Sequence, residues 1–321
     1  MRDTVMPSMI EFPDQNASKI KDEIVRFNHR LAETGLFTDE ALAQLLDEYP
    51  RDQVTICTMR ENPPPAERWI AGDADGLSGA ELVEAARRGR LWISPRTAMT
   101  DHPKYRAVFD KIMADFSKET GVQVLRGSAA VLISSARMGV FLHVDAAETM
   151  LWHVRGDKTM YVYPPKDELI SERSLEAILL KETLSDLPYQ PWMEAEAIPV
   201  ALAPGEAVSW PIHSPHRVVN GDNTNVSVSV EYTTRRSMLT NGVLCLNGRL
   251  RREMGLNPSA RSVPGVLKPA YWAANKAWQK LAPPKHNALA SHGRQFDVDL
   301  SAPNCVRWRP GFGPQATAKA A

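Results

Sequence analysis

Residues 122–234 contain short apolar segments separated by turns, and this pattern restricts the fold more than any other feature of the chain. The segments cover residues 129–134, 139–144, 150–154, 159–163, 207–210 and 226–232. The last one alternates strictly, with valines at 226, 228 and 230 and polar residues at 227, 229 and 231. Strict alternation is typical of a β-strand whose two faces meet different surroundings. Many short strands at this spacing predict a β-sandwich or a jelly-roll barrel.

The flanking regions read as mainly helical. The apolar spacing predicts helices over residues 18–27, 38–46, 78–89 and 104–120, with short strands at 54–58 and 91–93. A further helix is predicted at 174–183 inside the β-rich region. After Arg235 the strand signals fade, and residues 267–281 read as a helix. We therefore divide the chain into N-terminal elements (1–121), a β core (122–234) and a C-terminal segment (235–321).

The apolar content predicts a soluble protein of the cytoplasm. Of the 321 residues 43% are hydrophobic, but no apolar run reaches about 18 residues, the length that a membrane helix needs. No apolar stretch of a signal peptide follows the charges of the N-terminus. The three cysteines, Cys57, Cys245 and Cys305, form no paired framework. We expect buried thiols in a reducing compartment.

Charge is distributed unevenly along a chain whose net charge is +0. Residues 235–321 carry 14 Lys and Arg against 3 acidic residues, which leaves 24 basic and 35 acidic residues before them. One interpretation is that the basic segment binds an anionic partner or substrate. The other is that it docks on the acidic remainder, within the chain or across a homodimer. The sequence favours neither.

Two residues near the start of the β core, His143 and Asp145, have the spacing of a half-site for a metal ion. On a strand, residues two apart point to the same face, so their side chains converge. Leu142 and Val144 then point the other way, into packing. A third ligand, His216, would complete a set of two imidazoles and one carboxylate, which occupies one face of a ferrous ion and leaves the other open. The two-residue motif alone is weak, since it arises often by chance.

Two other histidines compete with His216 for the third position. His213 lies three residues earlier, and His153 lies in the middle of the β core. We prefer His216 because residues 217–220 continue from it as a strand candidate. His153 is interpreted as a packed residue or as one that supports the ligands.

Lys158 follows a turn formed by Arg155, Gly156 and Asp157. The spacing of Lys158 in the sequence, taken alone, favours a turn lysine that faces solvent. An inward-facing lysine would be costly unless it met an anion.

Taken together, these motifs resemble those of the JmjC-type, cupin-like iron(II)/2-oxoglutarate dioxygenases. The resemblance covers residues 122–234. It runs through His143-Val144-Asp145, then Gly156-Asp157-Lys158 with the aromatic strand at 161–163 and two prolines, and finally through residues 211–220. It implies a double-stranded β-helix of the jelly-roll or cupin type with N-terminal helices and a helical or irregular C-terminal segment. It also implies that Lys158 binds the distal carboxylate of 2-oxoglutarate.

This sequence departs from the family at two cosubstrate positions. Thr149 stands where relatives often carry Asn, and Val140 stands where they often carry Thr. The Thr149 hydroxyl can still donate a hydrogen bond. The resemblance and the matching stretch that ends at Asn220 make Thr149 and Asn220 candidate cosubstrate contacts, with Ser134 and Trp92 as further candidates.

The resemblance implies an enzyme that uses Fe(II) and 2-oxoglutarate to hydroxylate a small molecule or a protein side chain, with release of succinate and carbon dioxide. One alternative is a non-redox metal-binding cupin, either an isomerase or a binding protein. Another is a regulatory protein that uses its basic segment on an anionic partner. No nucleic-acid-binding motif is evident, so neither nucleic acid nor membrane is expected as a partner. Nothing in the sequence identifies the primary substrate.

Overall fold

Two β-sheets form the body of the protein, which is seen here in a computed structural model that describes residues 7–60, 65, 67–281 and 293–313. The strands are β1 (Ile10–Glu11), β2 (Val25–His29), β3 (Val54–Thr58), β4 (Ile70–Asp73), β5 (Trp92–Pro95), β6 (Arg126–Ser134), β7 (Gly139–His143), β8 (Glu148–Arg155), β9 (Lys158–Val162), β10 (Ile198–Leu202), β11 (Glu206–Ser209), β12 (His216–Asn220), β13 (Asn225–Thr233), β14 (Phe296–Val298) and β15 (Val306–Trp308). The helices are α1 (Asp39–Glu48), α2 (Gly79–Arg88), α3 (Ala98–Asp101), α4 (Pro103–Thr120), α5 (Glu172–Leu179), α6 (Arg235–Met254) and α7 (Lys268–Leu281).

The strands from β6 to β13 are divided between the two sheets, and the chain changes sheet at every step except from β9 to β10. The larger sheet has the order β1-β2-β11-β8-β13-β6-β5-β3-β4-β14-β15, and the smaller sheet has the order β10-β9-β12-β7. Four antiparallel strands of each sheet thus come from one continuous stretch of the chain. This arrangement is a double-stranded β-helix with added strands on the larger sheet, and it confirms the predicted fold.

The alternation of β13 determines which way the larger sheet faces. Its valines at 226, 228 and 230 are fully buried and belong to the main hydrophobic core, together with Phe109, Ile112 and Phe116 of α4. Its polar residues at 227, 229 and 231 therefore point to the other face, toward the interior between the sheets. The apolar face lies outside under helices, and the polar face lies inside.

Most of the predicted elements are present. Thr38 caps α1 through its side chain, and Ser78 and Glu81 form a capping box at the start of α2. Gly121 ends α4 in the left-handed conformation. The predicted helices at 174–183 and 267–281 correspond to α5 and α7, and Cys57, Cys245 and Cys305 are free and buried, as expected.

The predicted helix at residues 18–27 is wrong. Only a short 3-10 turn (Ala17–Lys19) forms, and β2 follows it with Val25, Phe27 and His29 buried. β2 pairs with β11 along four residues, so it extends the larger sheet. Pairing with a sheet edge here overrides the weak local preference for a helix.

Two strands also form after Arg235, where the strand signals of the sequence fade. β14 pairs in parallel with β4, and β15 pairs with β14, so this part of the C-terminal segment joins the larger sheet. Each strand has three residues, too few to show a period in the sequence. Residues 282–292 and 314–321 of the predicted segment lie outside the described residues.

Many of the basic residues of the C-terminal segment form ion pairs with acidic residues of the first 234 positions. Arg251 and Arg252 contact Glu176, whose side chain is fully buried. Three more arginines contact carboxylates elsewhere, in the pairs Arg236–Asp22, Arg261–Asp167 and Arg294–Asp73. These contacts support docking of the segment within its own chain. In the described part of the chain, no helix has both the length and the apolar character needed to cross a membrane.

The junction of β4 and β14 gives a test of this packing. A methyl group added at Gly72 would lie 2.2 Å from the buried ring of Phe296. We expect Gly72→Ala to lower the free energy of unfolding by about 1–3 kcal/mol, measured by chemical denaturation. Gly265→Ala is the control, since its added methyl would meet open space. Equal stability of the two variants would contradict the docking of β14 on β4.

Candidate active site

Strand pairing brings two of the predicted ligands together. His143 is the last residue of β7 and His216 the first of β12, and the two face each other directly in the antiparallel pair. Side chains on opposed residues of neighbouring strands are close enough to touch. The centroids of the two imidazole rings are 4.1 Å apart.

The third predicted ligand, Asp145, follows two residues after the end of β7. One carboxylate oxygen lies 3.3 Å from His216 Nε2, and the other lies 3.7 Å from His143 Nε2. The potential ligand atoms of the three residues all lie within 4.8 Å of one another. Such convergence is what a single metal ion requires. The neighbouring residues Leu142 and Val144 are buried, as predicted.

Backbone carbonyl groups fix the orientation of both imidazoles. His143 Nδ1 donates to the carbonyl oxygen of Phe141 at 2.9 Å, and His216 Nδ1 donates to that of Ser214 at 3.1 Å. With the protons on Nδ1, the lone pairs of both Nε2 atoms point toward Asp145. Trp210 packs against His216 with a ring separation of 4.7 Å.

The electrostatics hold Asp145 and His143 in the protonation states that metal binding needs. Burial would raise the pKa of the Asp145 carboxyl, but His216, His143 and a hydrogen bond from Thr149 outweigh it, so the pKa lies well below its usual range. Burial and then the charge of His216 lower the pKa of His143 to about 4. At neutral pH the site therefore contains an ionised carboxylate and a neutral His143 imidazole, without a proton to displace from either.

The two competing histidines lie elsewhere. His213 has a left-handed backbone (φ 64°), and its Nε2 is hydrogen-bonded at 2.9 Å to the side-chain oxygen of Asn241. His153 is fully buried, and both of its ring nitrogens are hydrogen-bonded. In the described ranges, only His143, Asp145 and His216 form a group that could hold a metal ion.

The three candidate ligands line a cavity of about 270 Å³ between the two sheets. β12 runs along it, with His216, Val218 and Asn220 on the cavity face. The other candidates from the sequence are there too: Trp92, Ser134, Thr149 and Lys158. The structure therefore brings every predicted site residue into one cavity.

Lys158 is buried at the far end of β12 from His216. It is the first residue of β9 and pairs directly with Asn220. Its Nζ donates to the Ser227 hydroxyl at 2.8 Å, and no carboxylate in the described part of the chain forms an ion pair with it. Burial lowers its pKa to about 7. The solvent-facing orientation that spacing alone favoured is wrong, because the turn is completed at Gly156 (φ 91°) and Asp157, before the strand begins.

A short hydrogen-bonded chain holds Lys158 in place. His153 Nε2 donates to the carbonyl oxygen of Gly156 at 2.8 Å, so its Nδ1 is an acceptor. The Ser227 hydroxyl donates to that nitrogen at 3.0 Å and accepts from Lys158. The lysine ammonium group uses one of its three N–H bonds in this chain, so the others are available to a ligand.

Sequence reasoning missed several residues of the cavity wall. Trp69, Arg96, Trp210 and Glu231 line it, and Ser227 anchors Lys158. The signal for Ser227 and Glu231 was the polar face of β13, but an alternating strand usually turns its polar face to water. Trp69 and Arg96 come from outside the predicted β core, where the sequence contained no sign of the cavity.

No family model matches this chain, and no curated protein does either. Solved structures of similar fold include an X-ray structure of Escherichia coli YcfD, with 16% identity, 86% of this chain and 69% of that chain covered, and a TM-score of 0.48. A structure of the Escherichia coli ribosomal oxygenase YcfD in complex with cobalt and 2-oxoglutarate has 16% identity, with 97% of this chain and 77% of that chain covered, and a TM-score of 0.45. An RmlC-like cupin from Shewanella frigidimarina has 11% identity, coverage of 34% and 68%, and a TM-score of 0.22. Because these sequence identities and TM-scores are low, the chemistry of this chain has to be argued from its own residues.

Metal binding can test whether His216 or His213 is the third ligand. We expect His216→Ala to weaken Zn²⁺ or Co²⁺ binding by roughly 100-fold, because one of three converging ligands is lost. His213→Asn should leave the affinity unchanged, since Asn tolerates the left-handed backbone at this position. Calorimetric titration of each metal measures both. Loss of binding in the His213 variant alone would show that the third ligand has been assigned to the wrong histidine.

Proposed function

We propose that this protein is an Fe(II)/2-oxoglutarate-dependent oxygenase that hydroxylates its substrate and releases succinate and carbon dioxide. The observation that carries the proposal is that one cavity contains two features. One is the converging group of His143, Asp145 and His216, and the other is the buried Lys158, which has no counter-ion in the part of the chain that the structure describes. The first feature fits a metal ion, and the second fits a carboxylate.

The three converging residues fit ferrous iron. Two imidazoles and one carboxylate on one side of the ion form the ligand set typical of non-haem iron oxygenases. When bound, iron supplies the activation of dioxygen for which 2-oxoglutarate is the reductant. The carbonyl groups of Phe141 and Ser214 keep the ligand nitrogens aimed at one point, which reduces the reorganisation that binding requires.

Lys158 fits the distal carboxylate of the cosubstrate. A buried ammonium group is costly without an anion, and hydrogen bonds from a cation to a carboxylate are among the strongest in proteins. Asn220, the cross-strand neighbour of Lys158, lies four positions after His216 in β12, which is roughly 13 Å along a strand. Side chains that extend inward from both ends leave a gap for a short dicarboxylate.

The wall between these ends is suited to the carbon chain of 2-oxoglutarate. Leu151, Met160 and Val218 line it and belong to one apolar cluster. Thr149 and Asn220 provide polar groups at the edges, and we assign them as further cosubstrate contacts. Asn220 is held by hydrogen bonds from its amide nitrogen to the Ser134 hydroxyl (2.8 Å) and to the carbonyl of Ser135 (3.0 Å).

The two alternatives explain less. A non-redox cupin would bind a metal through the same three residues, but it would have no use for Lys158. A regulatory protein that binds an anion through its C-terminal segment would need free basic residues there, whereas Arg251, Arg252 and Arg261 are in ion pairs. Under the proposal, residues 122–234 form the catalytic core in a cytoplasmic enzyme, and the substrate is a small molecule or a protein side chain.

Lys158 gives the sharpest test. In Zn²⁺-loaded protein, Lys158→Met should weaken 2-oxoglutarate binding by roughly 10- to 100-fold, because a charge-assisted contact is lost, while Zn²⁺ affinity stays the same. Wild-type affinity should be highest below the lysine pKa of about 7 and fall as pH rises above it, since the free lysine is then neutral.

In Lys158→Met, the affinity for 2-oxoglutarate should no longer depend on pH in this way. Calorimetric titrations between about pH 6.5 and about pH 9 measure both effects. Equal loss of metal and cosubstrate binding, or a wild-type affinity independent of pH, would contradict the role given to Lys158.

A further inference from the structure

The proposed function gives no role to Glu231, a charged residue of the cavity wall. Glu231 lies on the inward face of β13, two residues after Ser229 and four after Ser227. Its side chain is accessible to solvent within the cavity, although most of its surroundings are protein.

Among the described residues, Glu231 has no partner of opposite charge. Across residues 7–60, 65, 67–281 and 293–313, no hydrogen bond or ion pair to its carboxylate is found. The charged group that acts on it is Asp145, of like charge. Burial, followed by this repulsion, raises the pKa of Glu231. Two carboxylates that face one cavity repel each other, and a metal ion held by Asp145 would neutralise only one of them.

Strand register places Glu231 at the metal end of the cavity. It pairs directly with Thr149 of β8, whose hydroxyl is among the groups that lower the pKa of Asp145. Lys158 contacts Ser227, four residues away along the same strand, or roughly 13 Å. One end of the cavity therefore offers a cation to a ligand, and the other offers an anion beside the candidate metal ligands.

Aromatic rings form another part of the cavity wall, which Trp69 and Trp92 line. Trp69 stacks on Trp92 with ring centroids 4.2 Å apart, and Phe141 meets Trp69 edge-on at 5.4 Å. Phe141 in turn lies 5.6 Å from the ring of His143. Such a wall suits an alkyl chain that ends in a cation.

We infer that Glu231 binds a cationic group, an ammonium or a guanidinium, of the primary substrate and thereby places a neighbouring C–H bond beside the metal site. The consequence for hydroxylation rests on the proposed function, whereas the binding of the cation does not. Glu231 is then a specificity residue.

Arg96 does not supply the cation for Glu231 from within the protein. It follows β5 and also lines the cavity, but in the ranges that the structure describes it forms no ion pair with Glu231. The register of β5 on β6 puts it level with Ala130, two strands away from β13, which is about 10 Å. Its guanidinium is placed for an acceptor oxygen of the same ligand, such as the carboxylate or carbonyl of an amino acid whose side chain is cationic.

The test compares n-butylammonium with its neutral isostere n-butanol on Zn²⁺-loaded protein, in which the metal occupies Asp145. Saturation-transfer NMR titrations give both affinities. We expect n-butylammonium to bind on the order of tenfold more tightly than n-butanol, as for a contact to a charged group. Glu231→Gln should remove this preference. The control is Glu119→Gln, an exposed carboxylate on α4 that does not line the cavity.

Equal affinity of the two probes, or a preference that survives in Glu231→Gln, would overturn the inference. Bound Zn²⁺ per chain is measured for each variant, so a misfolded protein or a false metal site is recognised separately. A tripeptide Gly-Lys-Gly with blocked termini then distinguishes the sources of the cation. Tighter binding than n-butylammonium points to a protein side chain, and equal binding points to a small amine; either result keeps Glu231 as the cation site.

Discussion

The register between β7 and β12 is the constraint on which the site depends. It places His143 directly opposite His216, and the short continuation from His143 to Asp145 then brings the carboxylate to both imidazoles. A slip of one residue would turn one histidine to the other face of the sheet and separate the ligands. The buried side chains of Leu142 and Val144, on the opposite face, oppose such a slip because it would expose them to the cavity.

The cavity exists because the larger sheet is covered on its outer face. Helix α4 packs on the valines of β13, so the strand can direct Ser227, Ser229 and Glu231 inward without losing its hydrophobic contacts. The smaller sheet contributes the metal ligands and Lys158 from its own inward face. Each sheet therefore gives its apolar side chains to a core and its polar side chains to the site. This division lets a barrel of modest size carry several charged groups in its interior.

The triad could be predicted from the sequence because each of its ligands lies in or next to a strand with a recognisable pattern. His143 and Asp145 are two residues apart, and His216 begins a recognisable strand. The strands β2, β14 and β15 could not be predicted, since partners distant in the chain create them. Whether the Lys158 side chain points inward or to solvent depends on the exact residue at which the preceding turn ends, and the sequence does not fix that residue. Glu231 was visible as a polar position, but only the closure of the barrel shows that its face lies inside.

The most direct test of the central claim is an anaerobic titration of the protein with Fe(II) and 2-oxoglutarate, followed by visible absorption. If the cavity holds iron on His143, Asp145 and His216 with the cosubstrate chelated on its open face, a charge-transfer band appears only when both components are present. The band should be absent in Asp145→Ala. A protein that binds Fe(II) tightly but shows no band at saturating 2-oxoglutarate would contradict the claim and favour a metal-binding cupin without this cosubstrate.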